Sequence, residues 1–242
     1  MKAMIFAAGL GTRLKPLTDT RPKALVEIGG QTLLQRLMLK MSHSGIEEVV
    51  VNVHHFPDMI IDYLEANNGF GLKWHVSDER HQLLDTGGGL KKAQTLFNSY
   101  EPILVHNVDI ITNLDFSSLF AAHRTDSLAT LVVSERKTQR YLLFDKEGVM
   151  HGWHNIATDE RKPKNLNIEG LQHLAFSGIQ IVSPQIFKAM ETYPEKFSIT
   201  DFYITQCSAS PIRAFVPRDY RMMDVGKINE IQEAQSFVEH LE

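Results

Sequence analysis

Short apolar runs alternate with longer segments of helical periodicity through the first half of the chain. Four runs are predicted to be buried strands: residues 3–8 (AMIFAA), 48–53 (EVVVNV), 72–76 (LKWHV) and 103–106 (ILVH). The segments between and after them predict helices over residues 31–44, 57–67, 90–98 and 116–123. Because strands covered by helices on both faces lack polar alternation, the pattern predicts a largely parallel sheet.

The second half of the chain has a different pattern, with more strands and fewer helices. Strands are predicted over residues 128–134, 141–144, 149–153, 174–182, 212–216 and 220–223. The sequence DKEG between the second and third of these predicts a hairpin turn. Helices are predicted to begin at Pro184, to run from Ser198 to about Gln206, and to span residues 227–241. The polar stretch 155–167 is predicted to be an exposed loop.

The order of these elements predicts the fold class. We expect an α/β protein with a Rossmann-like, mixed and mostly parallel sheet flanked by helices, and an antiparallel elaboration in the second half. The 242 residues, 43% of them hydrophobic, are enough for one large domain. Repeats, low-complexity segments and linkers are not evident, so residues 1–242 are predicted to form a single domain.

Composition and charge exclude several classes of function. A net charge of −4 gives no overall basic surface, which argues against a nucleic-acid partner. The single cysteine, Cys207, excludes an intramolecular disulfide and fits a reducing compartment. The apolar run near the N-terminus is too short for a signal peptide, and no run approaches the ~20 apolar residues of a membrane span. We expect a cytoplasmic protein without a membrane partner, and the sequence leaves its oligomeric state open.

The most unusual stretch, GLGTRLKPLTDTRPKAL, directly follows the first predicted strand. Gly9 and Gly11 with Thr12 could form a phosphate cradle, because glycine lets backbone N–H groups approach phosphate oxygens. Arg13 and Lys23 add cations suited to phosphates. The stretch lacks the third glycine of a dinucleotide-binding fingerprint and the GK[ST] of a Walker A loop. The alternative is a tight connection with solvated cations; the combination of all these residues favours phosphate binding.

This stretch resembles the signature loop of the sugar-1-phosphate nucleotidyltransferases, G-x-G-T-R-x-x-P-L-T closed by P-K. Similar segments follow in order over nearly the whole chain: LDTGGG at 84–89, NVD at 107–109, FSGI at 176–179 and DVG at 224–226. At this length, without a C-terminal β-helix domain, the chain is most similar to compact members such as the N-acetylmuramate 1-phosphate uridylyltransferases. The members of that subgroup share the TGGG sequence found here. The nucleotide-binding half would then span about residues 1–127, and the sugar-binding half about 128–242.

The resemblance implies a role for each matching residue. Members of the family join a nucleoside triphosphate to a sugar 1-phosphate and release pyrophosphate. Arg13 and Lys23 would be catalytic, and Asp109 and Asp224 would bind Mg²⁺. The implied nucleotide-binding residues are Ala7, Ala8, Gly9, Gly11, Thr12, Arg13, Lys23, Thr86, Gly87 and Gly88. The implied substrate-binding residues are Asp85, Asn107, Ser177 and Gly178. Asn52 is added to the nucleotide-binding set because it lies at the end of the second predicted strand.

The chemistry fits this set of residues. A sugar phosphate is already an anionic nucleophile, so the reaction needs no general base, only positioning of two anions and stabilisation of charge. Mg²⁺ typically takes one or two carboxylates and completes its shell with water and phosphate oxygens. Arg13 then suits the β- and γ-phosphates and Lys23 the α-phosphate.

Each motif also has a structural alternative. Asp109 could cap a turn, and Asp224 could begin one. Residues 86–89 could open a helix with Thr86 as N-cap, but three glycines are costly there, so close approach of a ligand is favoured. Ser177 and Gly178 could mark a bulge.

Outside these motifs, Arg136 or Arg140 could meet the sugar or its phosphate, although the segment is also typical of a solvated hairpin end. Trp153 could either pack on the substrate ring or be structural.

Two departures from the family pattern remove no catalytic role, and the sequence leaves open whether they alter specificity. Val108 stands where the family usually has glycine, and Asp85 stands where glutamate is common in the muramate subgroup. The predicted function is uridylyl transfer from UTP to N-acetylmuramate 1-phosphate. The alternatives are the same chemistry on glucose, mannose or heptose 1-phosphate or phosphocholine, and an inactive nucleotide-sugar sensor. Retention of all four charged site residues argues against the sensor.

Overall fold

The computed structural model describes residues 1–97 and 100–241. Fourteen strands are present in this part of the chain: β1 (Lys2–Phe6), β2 (Glu27–Ile28), β3 (Gln31–Thr32), β4 (Glu48–Val53), β5 (Lys73–Asp78), β6 (Ile103–Asn107), β7 (Ile110–Thr112), β8 (Ala129–Ser134), β9 (Arg140–Phe144), β10 (Met150–Asn155), β11 (Glu160–Lys162), β12 (Gln172–Val182), β13 (Ile212–Phe215) and β14 (Met222–Asp224). The α-helices within the same residues are α1 (Leu33–His43), α2 (Pro57–Ala66), α3 (Asp85–Ala93), α4 (Phe116–Ala122), α5 (Gln185–Ala189), α6 (Ile199–Gln206) and α7 (Ile231–Glu239). None of these helices is long and apolar enough to span a membrane.

The first half of the chain forms a parallel sheet in the order β5, β4, β1, β6. Side chains alternate between the two faces of β1, so Ala3 and Ile5 pack into one core with α1, and Met4 packs into the other with α3. Both faces are therefore covered, which explains why these strands lack polar alternation.

The second half extends the same sheet with antiparallel strands. The eleven-residue β12 pairs with β6 and also with β8 and β9, so it joins the two halves. β9, β10 and β11 continue as an antiparallel ribbon, and β13 pairs with β8 in parallel. The predicted fold class, a mixed sheet flanked by helices with an antiparallel elaboration, is confirmed.

Several predicted boundaries were wrong. The helix predicted over 90–98 begins at Asp85 and contains all three glycines, while its predicted end at Asn98 lies outside the described residues. The predicted loop 155–167 contains β11, because the chain turns and pairs back on β10 with Glu160 opposite Asn155. The helix predicted from residue 31 begins at Leu33, since Thr32 is its N-cap and its side chain accepts the N–H of Gln35 at 3.0 Å.

The end of β1 also differs from the prediction, and this difference shapes the site. β1 ends at Phe6, two residues before the predicted end. The N–H groups of Ala7 and Ala8 leave the sheet ladder and donate instead to the side chain of Asn52. The chain therefore turns away from the sheet at the point where the glycine-rich loop begins.

Candidate functional site

The glycine-rich loop is held from behind by a buried polar network. Asn52, 3% exposed, accepts the N–H of Ala7 at 2.7 Å and that of Ala8 at 3.2 Å through Oδ1. Its Nδ2 donates to Oε1 of Glu79 at 2.7 Å. All the polar atoms of the Asn52 side chain thus engage the protein. The structure places Asn52 as a support of the loop rather than on a surface facing a ligand.

Glu79 is a residue that the sequence analysis missed. It is 1% exposed, and its second carboxylate oxygen accepts the N–H of Leu84 at 3.0 Å. Burial raises the pKa of this carboxyl, and the hydrogen bonds from Leu84 and Asn52 oppose that shift. Glu79 therefore ties the glycine-rich loop to the start of α3. Its position directly after a strand in the sequence SDER gives no signal of this role.

The two glycines of the loop have different surroundings. Gly11 has φ +63°, and a Cβ there would lie 2.9 Å from Cγ2 of Thr18. The Thr18 hydroxyl in turn donates to the Gly11 carbonyl at 2.8 Å, so the fold of the loop itself requires this glycine. A Cβ at Gly9 would meet no atom within 4 Å. Gly9 therefore faces open space, which leaves its backbone accessible to a ligand.

Four charged residues predicted from separate motifs converge beside the loop. Lys23, 8% exposed, forms an ion pair with Asp109 through its Nζ and Oδ2. The Asp109 carbonyl accepts the N–H of Val225. This bond also restrains Asp224, the residue that precedes Val225. A Cβ on the neighbouring Gly226 would lie 3.3 Å from Nη2 of Arg13 and 3.2 Å from Oδ1 of Asp224. The structure thus brings Arg13, Lys23, Asp109 and Asp224 together.

The charges of this cluster suit both a bound cation, at the two carboxylates, and a bound anion, at Arg13 and Lys23. Loss of solvent raises the pKa of Asp224, the negative charge of Asp109 raises it further, and Lys23 and Arg13 lower it. Two carboxylates in each other's field would be stabilised by a divalent cation. Among the described residues no group of three or more His, Cys, Asp or Glu side chains could hold a metal. A site with two carboxylates, completed by water and phosphate oxygens, is the arrangement typical of Mg²⁺, so the residues fit this ion.

A cavity of about 190 Å³ opens next to Asp224, at the ends of β1 and β6 and the middle of β12. Its walls include Thr86, Asn107, Ser177, Gly178 and Asp224, all of them predicted site residues. Arg136, Gln180 and Thr200 also line it, and Gln180 and Thr200 were not predicted. The Gln180 side chain is 1% exposed, and its Oε1 has no hydrogen-bond partner in the described part of the chain. It offers a buried acceptor at the cavity wall.

The strand that borders the cavity requires its glycine. Gly178 has φ +73°, and a Cβ there would lie 2.6 Å from Nδ2 of Asn107. The pairing of β12 with β8 is irregular between Phe176 and Gln180, so a bulge is present at this point. The bulge and the cavity thus occur together, and the two interpretations of Ser177 and Gly178 do not exclude each other.

The glycines of α3 approach protein rather than open space. The N–H groups of Gly87 and Gly88 donate to the Phe197 carbonyl at 2.9 and 3.2 Å. A Cβ at Gly88 would lie 2.0 Å from the Glu195 carbonyl oxygen, and one at Gly87 would lie 2.3 Å from the Phe197 ring. The interpretation that a ligand requires these glycines is therefore corrected, because the segment 195–197 occupies the space. Contact of their backbone with a nucleotide stays a prediction.

Thr86 and Asp85 at the start of α3 also differ from expectation. The Thr86 hydroxyl accepts the N–H of Ile199 at 3.0 Å, so it links α3 to α6 while it borders the cavity. Asp85 has φ +62°, and its carboxylate accepts the N–H of Thr86 at 2.6 Å. Asp85 is exposed and is not part of the cavity wall. The predicted contact of Asp85 with the substrate therefore has no support from the cavity lining and stays a prediction.

Comparison with known proteins identifies the family. The Nucleotidyl transferase family model matches residues 2–240. The chain belongs to the sugar-1-phosphate nucleotidyltransferases. It is 31% identical over 191 residues to the N-acetylmuramate alpha-1-phosphate uridylyltransferase of Neisseria meningitidis serogroup B, covering 79% of each chain. It is 46% identical over 111 residues to the enzyme of the same name from Caulobacter vibrioides, covering 45% of this chain and 46% of that protein.

A crystal structure of HddC from Yersinia pseudotuberculosis complexed with GMP-PN is also similar. The TM-score is 0.77 at 25% sequence identity, and the alignment covers 98% of this chain and 99% of that one. The similarity therefore includes both the parallel and the antiparallel parts of the fold.

The departure from the nucleotidyltransferase pattern at Val108 is accommodated by packing. Val108 is buried in the core with the α1 side chains, and its N–H donates to the Phe6 carbonyl at 3.1 Å. The valine side chain is thus part of the hydrophobic core, while the next residue, Asp109, pairs with Lys23.

Proposed function

We propose that this protein transfers a nucleotidyl group from UTP to N-acetylmuramate 1-phosphate, releasing pyrophosphate. The observation that carries the proposal is the convergence of Arg13, Lys23 and Asp109 with Asp224, which also lines the 190 Å³ cavity. Two cations suit the triphosphate, two carboxylates suit a divalent ion, and the adjoining cavity suits the acceptor sugar.

The residues of the chain perform binding and positioning rather than proton transfer. Lys23, oriented by Asp109, offers its remaining N–H donors to an α-phosphate oxygen. Arg13 binds the β- and γ-phosphates with its guanidinium group. Gly9 gives the phosphates access to the backbone. The acceptor sugar lies in the cavity, where Asn107 and Gln180 are placed to bind its polar groups.

Asp109 and Asp224 would hold the Mg²⁺ ion in this proposal. When bound, the ion neutralises charge that builds up on the phosphates and on the departing pyrophosphate. Lys23 would also stabilise negative charge on the phosphates. Removal of either carboxylate should therefore impair turnover more than nucleotide binding.

The choice of acceptor and nucleotide rests on similarity. The two relatives reported above both carry the name of an N-acetylmuramate alpha-1-phosphate uridylyltransferase. The shared TGGG segment is the start of α3, which packs on residues 195–199 beside the cavity. These features support the proposal that the acceptor side of this protein has the same specificity.

A pyrophosphate-release screen tests the proposal. Four nucleoside triphosphates are crossed with N-acetylmuramate, glucose, mannose and heptose 1-phosphates and phosphocholine, each with Mg²⁺ and with EDTA. We expect the highest kcat/KM with UTP and N-acetylmuramate 1-phosphate, and loss of activity with EDTA. Release with a different pair would reassign the substrates. Binding of a nucleotide sugar without release by any pair would favour the sensor.

A further inference from the structure

A second, larger cavity adjoins the proposed acceptor cavity. Its volume is about 560 Å³, and it shares Arg136, Phe176 and Thr200 with the smaller cavity. The ribbon β9–β11 forms one wall, and residues 198–204, at the start of α6, contribute to the other. The two cavities therefore adjoin at these three residues.

One face of the ribbon supplies the side chains of the wall. Arg140, Asn155 and Glu160 lie directly opposite one another across the three strands. Leu142, Trp153 and Lys162 form the next row on the same face. Because side chains alternate along a strand, the intervening row of Tyr141, His154 and Arg161 lies on the opposite face. This wall of the cavity is thus formed by the regular pairing of β9, β10 and β11.

The charged groups of this wall differ in their pairing. Lys162 lies 3.7 Å from a carboxylate oxygen of Asp201 and 5.3 Å from the centre of the Trp153 ring. Arg136 donates one hydrogen bond, to the Phe176 carbonyl at 2.9 Å. The guanidinium group of Arg140 has no ion-pair or hydrogen-bond partner within residues 1–97 and 100–241. Arg140 thus has a full set of donors facing the cavity.

The net charge of the side chains that line the larger cavity indicates the charge of the ligand. Arg136, Arg140 and Lys162 face Glu160 and Asp201, which leaves one positive charge in excess. A guanidinium group binds a carboxylate through two parallel hydrogen bonds. A carboxylate carries one negative charge, which matches the excess, whereas a second phosphate carries more.

We propose that this cavity is a subsite for a carboxylate on the acceptor sugar, with Arg140 as the residue that determines specificity for acidic sugar 1-phosphates. The inference rests on the proposed function, since it assumes that a sugar 1-phosphate occupies the smaller cavity. Arg140 binds the carboxylate, and the Trp153 face covers the part of the sugar that carries it. Neutral sugar 1-phosphates would leave the excess charge of the cavity unpaired, so they should bind more weakly.

The test compares an acidic and a neutral acceptor of the same ring. N-acetylmuramate 1-phosphate carries a carboxylate that N-acetylglucosamine 1-phosphate lacks. Binding of each to the full-length protein is measured by calorimetry, and pyrophosphate release with UTP is measured in parallel. The variants are Arg140→Met and, as a matched control on the opposite face of the ribbon, Arg161→Met. Both side chains lie on the surface of the ribbon, and thermal unfolding confirms that each variant is folded.

We expect Arg140→Met to weaken binding of the acidic acceptor about tenfold to a hundredfold, the usual range for hydrogen bonds to a charged group. Binding of the neutral acceptor should change less than about twofold, and Arg161→Met should leave both unchanged. Equal weakening of both acceptors, or unchanged binding of the acidic one, would overturn the subsite. Absence of pyrophosphate release with every acceptor would instead count against the proposed function, while the binding data would still decide the subsite.

Discussion

Two charged side chains near the candidate site are buried in the parallel half of the molecule, whereas two arginines that line its cavities are exposed in the antiparallel half. In the parallel half, Lys23 is almost fully buried against Asp109, and Glu79 is buried against Asn52. In the antiparallel half, Arg136 and Arg140 are exposed around an open cavity. A buried pair has a fixed geometry, whereas an exposed guanidinium group can adapt to what it binds.

This difference separates two proposed tasks. The position of the triphosphate relative to the acceptor must be the same in every turnover, which the buried network of the first half provides. Selection of the acceptor depends on contacts at the surface of the second half. Changes to the buried network should therefore alter turnover with all acceptors, and changes to the exposed arginines of the antiparallel half should alter preference among them.

The most severe test of this division is Asp109→Asn. The change keeps an oxygen that can accept from Lys23 but removes the negative charge proposed to bind Mg²⁺. We expect turnover, measured as pyrophosphate release, to fall about a thousandfold or more with every acceptor. The control is Asp62→Asn on the exposed face of α2, which should retain full activity. Activity within tenfold of the wild type, or a loss confined to one acceptor, would contradict the assignment.

A second test concerns the buried core of the parallel half. His106 is fully buried, and the Nε2 atom of its ring has no partner within the described residues. Burial lowers its pKa from 6.5 to about 4. As pH falls below 6.5, the unfolded chain takes up a proton at His106 and the folded protein does not, so stability is lost until about pH 4.

The stability lost through His106 over this range should be about 3 kcal/mol. Urea unfolding of the wild type and of His106→Leu at several pH values measures it, since the variant lacks the titrating group. We expect the unfolding free energy of the variant to decline less steeply between pH 6.5 and 4. Parallel slopes for the two proteins would show that His106 titrates freely and that this part of the core is open.

The glycines allow a matched comparison between packing and ligand access. Gly88→Ala places a methyl group against the Glu195 carbonyl and should lower the unfolding free energy by about 2 kcal/mol. Gly9→Ala places the methyl group in open space, so stability should change by less than about 0.5 kcal/mol while turnover falls. Thermal unfolding and pyrophosphate release separate the two effects. A stable Gly88→Ala or a fully active Gly9→Ala would contradict the respective role.

The smallest expected effect is that of Arg13→Lys. The substitution keeps the positive charge near Asp224 but removes the planar fork that suits terminal phosphates. We expect kcat/KM for UTP to fall about tenfold with no change in acceptor preference, as one charged hydrogen bond is lost. Arg21→Lys, at an exposed position in the same loop, is the control. A change in acceptor preference would indicate that Arg13 serves the sugar side instead.

Much of the fold could be predicted because the local hydrophobic pattern of many segments matches the secondary structure that they form in the sheet. The strand β4 was predicted at its observed bounds, since Glu48–Val53 is a mostly apolar segment with polar residues on either side. The ribbon strand β11 could not be predicted, because Glu160–Lys162 is polar and forms a strand only through pairing with β10. Likewise, the glycines of α3 disfavour a helix locally, and packing against residues 195–199 overrides that preference.

The sequence by itself determined the glycine-rich loop, the cations suited to phosphates, and the alternation of strands and helices. These features are local, because they depend on residue type and spacing. Only the tertiary structure decided that Lys23 pairs with Asp109, 86 residues away, and that Asn52 and Glu79 hold the loop from behind. It also placed Arg140 and Trp153 on one wall of a cavity. Such pairings arise when sheet register brings distant segments together, and no local pattern specifies them.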